Sequence, residues 1–206
     1  CERGRPMDVW AGIVGEPCRV EVTHRGRNRS SANFVELVGE PHVFRRKGSR
    51  RRYHISGSCP LMHMTWEGQK EAKLAMVRDS LAEGGFESFA PTSMESSPNG
   101  ESGYRHSVKL VYGRSERGSI RLGAYARGTN RIVTITDSDV VTPVLRKCMK
   151  GVAHHLMEAD IWPYEDKTGK GLLRYVVMRQ SRSTGHVLVT LVATRKDDRL
   201  REVAGT

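Results

Sequence analysis

Cationic and aromatic side chains are interleaved along residues 104–131, and their chemistry suits a polymer that carries both phosphates and bases. The candidate binding residues of this stretch are Arg105, Lys109, Arg121, Tyr125, Arg127 and Arg131. Lysine and arginine neutralise phosphates, while an aromatic ring stacks against a base, so the combination is typical of surfaces that bind RNA. Burying such charges would cost several kcal/mol each, so the cations must face solvent or a ligand. A solvated basic face is the alternative to RNA binding.

A second group of cations lies upstream, where six lysine and arginine residues fall within residues 45–52. The candidate RNA contacts of this block are Arg50, Arg51 and Arg52. A block of like charges repels itself and stays solvated unless phosphates neutralise it. An exposed loop without a ligand is the alternative interpretation.

The composition of the whole chain favours the same class of partner. Among 206 residues, 34 lysines and arginines oppose 23 aspartates and glutamates, which gives a net charge of +11. Such a charge favours a polyanion, with nucleic acid as the first candidate. No stretch approaches the roughly 20 apolar residues of a membrane span, and no leader precedes the first strand pattern. We therefore expect a monomeric protein of the cytoplasm that makes no membrane contact.

Catalytic and metal-binding motifs are scarce, so whether this chain is itself an enzyme stays open. The sequence contains no GxGxxG, GxxxxGK[ST], GxSxG or HExxH motif. A metal-binding domain that uses Cys59, His63, His154 and His155 is a further alternative. The adjacent histidines should point to different faces of a helix, and Cys59 with His63 would not fill a tetrahedral site.

The periodicity of apolar residues predicts the order β-β, α, β-β-β, α, β-β and an α+β fold. A period of two predicts strands at residues 16–24, 31–38, 104–112, 119–126, 131–136, 172–179 and 186–193. Helical spacing from Met62 to Gly84 places Trp66, Leu74, Val77 and Leu81 on one face. Thr142 and Pro143 are typical of a cap and first position of a second helix.

Four landmarks resemble the RNA (uracil-5-)-methyltransferase family and cover most of residues 55–194. SGSCPLMHMTWEGQKEAKLAMVRDSL is similar to its CGGC motif and following helix, and GYRHSVKLVY to its Tyr-Arg strand. LGAYARGTNRIVTITDSDVVTP resembles its Gly-Phe-Tyr segment with a basic loop, and LLRYVVMRQSRSTGHVLVTLV its Leu-Arg hairpin. Upstream, AGIVGEPCRVEVTHRGRNRSSANFVELV is similar to the second half of a TRAM domain, an RNA-binding barrel found in the ribosomal-RNA branch.

The resemblance implies three regions and places catalysis outside them. Residues 1–45 would form a partial TRAM-like β-barrel, residues 46–60 a basic linker, and residues 61–206 a central RNA-binding domain with an antiparallel sheet and two helices. The family's Rossmann-like domain, which binds S-adenosylmethionine and carries the catalytic cysteine, has no counterpart here. The chain would then be the RNA-binding part of a 23S ribosomal RNA (uracil-5-)-methyltransferase that continues beyond it. A free-standing RNA-binding or ribosome-associated protein without catalytic activity is the alternative.

Many ribosomal-RNA members hold an iron–sulfur cluster on cysteines, and this sequence departs from that pattern. The positions of a C-x5-C-x2-C motif that ends at Cys59 hold Arg50 and Ser56, and the later position holds Ser138. Serine and arginine cannot replace a thiolate at such a cluster. We therefore expect no cluster, with Cys59 as a buried thiol. Cys148 should be a buried thiol with a raised pKa, because it lies on the apolar face of a helix.

Overall fold

The computed structural model describes residues 6–48, 57–98, 100–115 and 118–205, in two compact units. The first unit comprises Cys1–Glu95 and the second Ser96–Thr206. This division falls at a different place from the predicted domain boundaries, and the assignment of the units to domains stays a prediction. The candidate contacts Arg50, Arg51 and Arg52 lie outside the described residues. The α+β fold class is confirmed by two sheets and three helices in the described part.

The first unit contains a three-stranded sheet, with strands β1 (Met7–Trp10), β2 (Cys18–Arg25) and β3 (Ser30–Leu37). Strand β3 lies in the middle, antiparallel to β2 and parallel to β1. The predicted pairing of the first two long strands is therefore confirmed. Strand β1 was not predicted, because four residues are too few for a clear period of two. Three strands do not by themselves close a barrel, so the TRAM-like barrel stays a prediction.

Helix α1 (Trp66–Glu83) follows in the same unit and begins at a side-chain cap. The Thr65 hydroxyl accepts a hydrogen bond from the Gly68 N–H at 3.3 Å, and Gly84 and Gly85 end the helix as predicted. The predicted apolar face is only partly correct. Leu74 is buried, but the side chain of Val77 is 47% exposed, because the second half of the helix has few neighbours in the described structure.

The second unit is built on a five-stranded sheet in which every pairing is antiparallel. Its strands are β4 (Ser107–Arg114), β5 (Ile120–Tyr125), β6 (Ile132–Thr134), β7 (Leu173–Gln180) and β8 (Val187–Ala193). Their spatial order is β6-β5-β4-β7-β8, so the predicted meander and hairpin are both confirmed. Helix α2 (Pro143–Glu158) begins as predicted, with the Thr142 hydroxyl accepting from the Leu145 N–H. Helix α3 (Asp198–Gly205) was not predicted.

One face of this sheet, here called the inner face, forms the core with helix α2. Its fully buried side chains include Leu110, Val176 and Met178, and those of the helix include Leu145 and Met149. Helix α2 lies against β5 and β7. The opposite face is therefore left for solvent or a ligand.

Tyr112 closes the core at the end of helix α2. Its hydroxyl donates to the Ile161 carbonyl at 2.9 Å and lies 3.3 Å from the Leu156 carbonyl. Burial, with a smaller effect of Asp160, raises the pKa of Tyr112 to about 12. The phenol therefore stays a neutral hydrogen-bond donor over the whole range in which the protein would work.

Two glycines let strand β6 approach the sheet closely. A Cβ on Gly123 would lie 2.0 Å from the Val133 carbonyl oxygen, and one on Gly113 would lie 2.2 Å from Ile132 Cδ1. Any side chain at Gly123 would force backbone to move. These contacts fix the β5–β6 end of the sheet, where several of the candidate binding residues lie.

Candidate nucleic-acid interface

The solvent side of the five-stranded sheet, here called the outer face, carries the predicted mixture of cations and aromatic rings. Lys109 is exposed on β4 between the buried Val108 and Leu110. On β5, Arg121 and Tyr125 are exposed on either side of the buried Leu122 and Gly123. The period of two in burial therefore places these three candidates on the outer face, as the sequence analysis required of charged side chains.

The register of β4 and β5 brings Lys109 and Tyr125 to one end of the outer face. The paired segment of β4 and β5 ends at Val111 and Gly123, and both Lys109 and Tyr125 lie beyond this same end. Arg121 pairs with Gly113 and lies toward the other end. The structure therefore separates Arg121 from the candidates that it brings together.

The remaining candidates lie at the same end of the sheet as Lys109. Arg105 precedes β4, where its N–H donates to the Val140 carbonyl at 2.8 Å. Arg127 and Arg131 are exposed in the β5–β6 turn, which is closed by a 2.6 Å hydrogen bond from the Ala126 N–H to the Arg131 carbonyl. Backbone hydrogen bonds thus fix the segments that carry these three cations. Their contact with RNA stays a prediction.

Two functional candidates on β7 were missed by the sequence analysis. Tyr175 pairs with Val111, and Lys109 Nζ lies 4.0 Å from the centroid of its ring. Arg179 is exposed and pairs with Ser107 on the outer face. Their alternation with the buried Val176 could have revealed them, but the dense apolar residues of this strand favoured a position in mid-sheet.

The pKa of the Tyr125 hydroxyl shows which charged and titratable groups lie near it. Partial burial is the main cause that raises the pKa of Tyr125, with smaller effects of Tyr175 and Asp166, while Arg174 opposes the rise. Tyr125 therefore lies within electrostatic range of both the β7 strand and the loop before it. At neutral pH its ring is an uncharged surface, which suits a base better than a phosphate.

Arg45, the first cation of the basic block, has a structural role in the first unit. Its guanidinium donates through Nε to Glu16 Oε1 at 2.5 Å, through Nη2 to Glu16 Oε2, and to the Ala11 carbonyl at 2.9 Å. Its Cζ also lies 4.4 Å from the centroid of the Phe34 ring. The Glu16 side chain is fully buried and that of Arg45 is 12% exposed. The sequence analysis placed Arg45 in a solvated basic block, and this is wrong: the Arg45 guanidinium is largely buried against Glu16.

The carboxylate of Glu16 is held in its charged form. Burial acts to raise its pKa, but the hydrogen bonds from Arg45 and the His42 N–H, with the charges of both residues, outweigh it. The pKa of Glu16 is therefore lowered below 4.5.

The potential metal ligands do not form a site in the described residues. No cluster of three or more histidine, cysteine, aspartate or glutamate side chains there could hold a metal ion. The prediction that the adjacent histidines diverge is wrong. His154 Nε2 and His155 Nδ1 lie 3.2 and 3.4 Å from the Glu158 carboxylate, because positions three and four residues apart share a helix face.

The two cysteines that the sequence analysis singled out are both shielded from solvent, Cys59 more fully than Cys148. Cys59 is buried, with 7% of its surface exposed. Cys148 is half-buried on α2, and this burial raises the pKa of its thiol. Ser138, where the resemblance would put a cluster cysteine, is buried, and its N–H donates to the Ile135 carbonyl at 3.1 Å.

The described residues do not fit S-adenosylmethionine. Nucleotide-containing cofactors bind in α/β folds at the carboxyl ends of parallel strands, beside a glycine-rich turn into a helix. The five-stranded sheet has only antiparallel pairs, and β1 and β3 are the one parallel pair among the described strands.

None of the described helices has the length and apolarity needed to cross a membrane.

Comparisons with known proteins give relatives along almost the whole chain. No family model matches it. An uncharacterized RNA methyltransferase of Caldanaerobacter subterraneus is 28% identical over 195 residues, which cover 94% of this chain and 43% of the relative. A second RNA methyltransferase of that organism is 30% identical over 197 residues, covering 94% and 42%. One from Synechocystis is 28% identical over 183 residues, covering 88% and 39%.

A solved structure shares the fold. The crystal structure of Pyrococcus abyssi tRNA (uracil-54, C5)-methyltransferase in complex with S-adenosyl-L-homocysteine matches with a TM-score of 0.65 at 23% identity. The match covers 95% of this chain and 44% of that one. The chain therefore spans less than half the length of the relatives it matches.

The antiparallel sheet with its basic outer face and the named relatives define a protein related to RNA methyltransferases. The names of the relatives support the resemblance at the level of RNA methyltransferases, and the solved structure of a uracil-5 methyltransferase supports it at the level of the fold.

Proposed function

We propose that this chain is the RNA-binding part of an S-adenosylmethionine-dependent RNA (uracil-5-)-methyltransferase that acts on 23S ribosomal RNA. The names of the relatives support an RNA substrate, and the S-adenosyl-L-homocysteine bound to the Pyrococcus abyssi enzyme supports the cofactor. The catalytic residues and the cofactor would belong to a further domain of the whole protein. This chain would present the RNA to that domain as a monomer in the cytoplasm.

The observation that carries the proposal is the outer face of the five-stranded sheet. Its inner face is sealed by helix α2, whereas Lys109 and Tyr125 are exposed on the outer face beside the turn that holds Arg127 and Arg131. A sheet that presents cations and rings at one end can bind phosphates and stack bases at the same time. The net charge of +11 adds a long-range attraction for the polymer.

The proposal that the substrate is ribosomal RNA depends on the first unit. We propose that its three-stranded sheet is the part of a TRAM-like barrel that distinguishes the ribosomal-RNA branch, and that Arg50, Arg51 and Arg52 extend the RNA contact. The candidates Arg105 and Arg121 would add phosphate contacts at the two ends of β4 and β5. The solved structure is named for a transfer-RNA substrate, so the two kinds of RNA must be compared directly.

The test measures the affinity of the full chain for a labelled 23S ribosomal RNA fragment by fluorescence anisotropy at several salt concentrations. Lys109→Gln and Arg127→Gln should each weaken binding and lower the slope of log affinity against log salt by about one. Lys150→Gln is the matched control, because it removes the same charge from an exposed position on α2, on the inner side of the sheet. Its slope should stay that of the unmodified protein.

Two results would contradict the proposal in different ways. An equal loss of slope in Lys150→Gln would show that net charge, and not the outer face, attracts the RNA. Unlabelled transfer RNA that competes as well as the ribosomal fragment would contradict the ribosomal substrate but leave RNA binding by the outer face in place.

A further inference from the structure

An exposed tryptophan stands on a firmly anchored segment between α2 and β7. Trp162 is 54% exposed, although its neighbours Ile161 and Pro163 are buried. The Trp162 carbonyl accepts from the Leu172 N–H at 2.9 Å, and the Tyr164 N–H donates to the Leu173 carbonyl at 2.9 Å. The backbone on both sides therefore holds the indole outward, and the ring is not part of the core.

A glycine makes this anchoring possible. A Cβ on Gly171 would lie 2.1 Å from the Pro163 carbonyl oxygen, and its φ of +98° is one that other residues rarely adopt. The segment that carries Trp162 thus lies directly against the start of β7.

Two arginines cover the rings of this segment. Arg114 Cζ lies 5.2 Å from the Trp162 ring centroid, and Arg174 Cζ lies 4.2 Å from the Tyr164 ring centroid. We call these four side chains the stacking array. Arg174 also influences the titration of Tyr125, so this arginine lies within electrostatic range of the outer face.

Carboxylates already occupy the edges of both guanidinium groups. Arg114 Nε lies 3.5 Å from Glu165 Oε1, and Arg174 Nη2 forms an ion pair with Asp166 Oδ1. A phosphate would have to compete with these carboxylates for the N–H groups and would be repelled by them. The Trp162 ring is 54% exposed beside Arg114, and the flat faces of aromatic rings and guanidinium groups bind bases by stacking.

We infer that the stacking array binds an unpaired base of single-stranded RNA. The inference rests on the proposed function and deepens it, because it names the kind of RNA that this part of the chain recognises. A base within a duplex is stacked on both sides and cannot reach the array, whereas the base of a loop or a single strand can. The contact adds affinity without neutralising a phosphate, so it adds little salt dependence.

The experiment uses the full chain with Trp10→Phe and Trp66→Phe, which leaves Trp162 as the one tryptophan of three. Titration with oligouridylate at low salt should quench the Trp162 emission, and a duplex of the same length should quench it much less. In the otherwise unmodified chain, Trp162→Leu should weaken oligouridylate binding by about 5- to 100-fold with an unchanged salt slope. Trp162→Phe keeps a ring and should retain most of the affinity.

The possible results separate this inference from the proposed function. Oligouridylate binding with a normal salt slope but no quenching, or equal affinity for Trp162→Leu, would overturn the stacking array and leave the outer face intact. Loss of RNA binding altogether in the unmodified chain would overturn both. Quenching by a proline-rich peptide and not by RNA would assign the rings to a protein partner and overturn the inference. Equal losses in Trp162→Leu and Trp162→Phe would point to a structural role and overturn it as well.

Discussion

The buried ion pair between Glu16 and Arg45 gives the sharpest test of how the first unit is held together. Replacing Arg45 with alanine leaves a fully buried carboxylate whose remaining described donor is the His42 N–H. Removing one partner of a buried pair typically costs about 3–5 kcal/mol, because the other charge stays desolvated. The variant also loses its bond to the Ala11 carbonyl and its contact with the Phe34 ring. We therefore expect Arg45→Ala to lower the free energy of unfolding of this unit by about 3–5 kcal/mol.

Urea denaturation followed by tryptophan fluorescence measures this change. A Trp162→Phe background confines the emission to Trp10 and Trp66, which both lie in the first unit. With a typical dependence on denaturant of about 1–3 kcal/mol per molar urea, the midpoint should fall by at least about 1 M. Lys47→Ala is the matched control, since Lys47 is an exposed cation of the same block and should change the midpoint little.

The reasoning fails if Arg45→Ala costs less than about 1 kcal/mol, or no more than Lys47→Ala. Either result would mean that the pair is solvated in solution and that Arg45 belongs to the basic surface after all. A second variant separates charge from packing. The double substitution Glu16→Leu with Arg45→Met should recover much of the stability lost in Arg45→Ala, because apolar side chains of similar volume remove both buried charges together.

Two further predictions concern pH and the close approach of strand β6. Because the pKa of Glu16 is lower in the folded state than in the unfolded state, its carboxylate stabilises the fold fully at pH values well above 4.5. This stabilisation is lost as the pH falls through the pKa that Glu16 has in the folded state. Urea titrations at several acidic pH values should show this loss in the unmodified chain and a weaker pH dependence in Glu16→Gln. Gly123→Ala should destabilise the second unit by about 1–3 kcal/mol, because its Cβ would meet the Val133 carbonyl. Gly151→Ala, on helix α2 with open space around it, should leave that unit as stable or raise its stability by about 0.5–1 kcal/mol. Thermal unfolding compares the two alanine variants, and equal destabilisation would contradict the assigned role of Gly123.

The elements with a clear period were predictable from the sequence, and the short or context-dependent ones were not. Thr142 and Pro143 mark the start of α2 because a cap and a first-turn proline act locally. Strand β1 exists only because it pairs with β3, which no local pattern reveals. Val77 shares a helical face with Leu74 in sequence, but tertiary neighbours decide burial, and they cover only Leu74.

The sequence predicted which types of residue form the candidate interface, but not which of their side chains lie next to each other. The cost of burying charge on alternating side chains correctly predicted that Lys109 and Arg121 face solvent. Pairing across strands brings Tyr175 to Lys109, and this depends on register between two segments that lie far apart in the chain. Arg45 was assigned to a basic surface because its buried partner, Glu16, lies far upstream in the sequence.

The hydrogen bond at the base of the basic segment has a practical consequence for engineering this protein. The Arg46 N–H donates to the His63 carbonyl at 2.9 Å, and Arg45 pairs with Met64 in an isolated bridge, so both ends of the intervening chain are fastened together. Doubling the length of a chain segment whose ends are held together in this way costs only about 0.6 kcal/mol in chain entropy. A longer segment between residues 46 and 63 should therefore leave these two contacts, and with them the start of α1, in place.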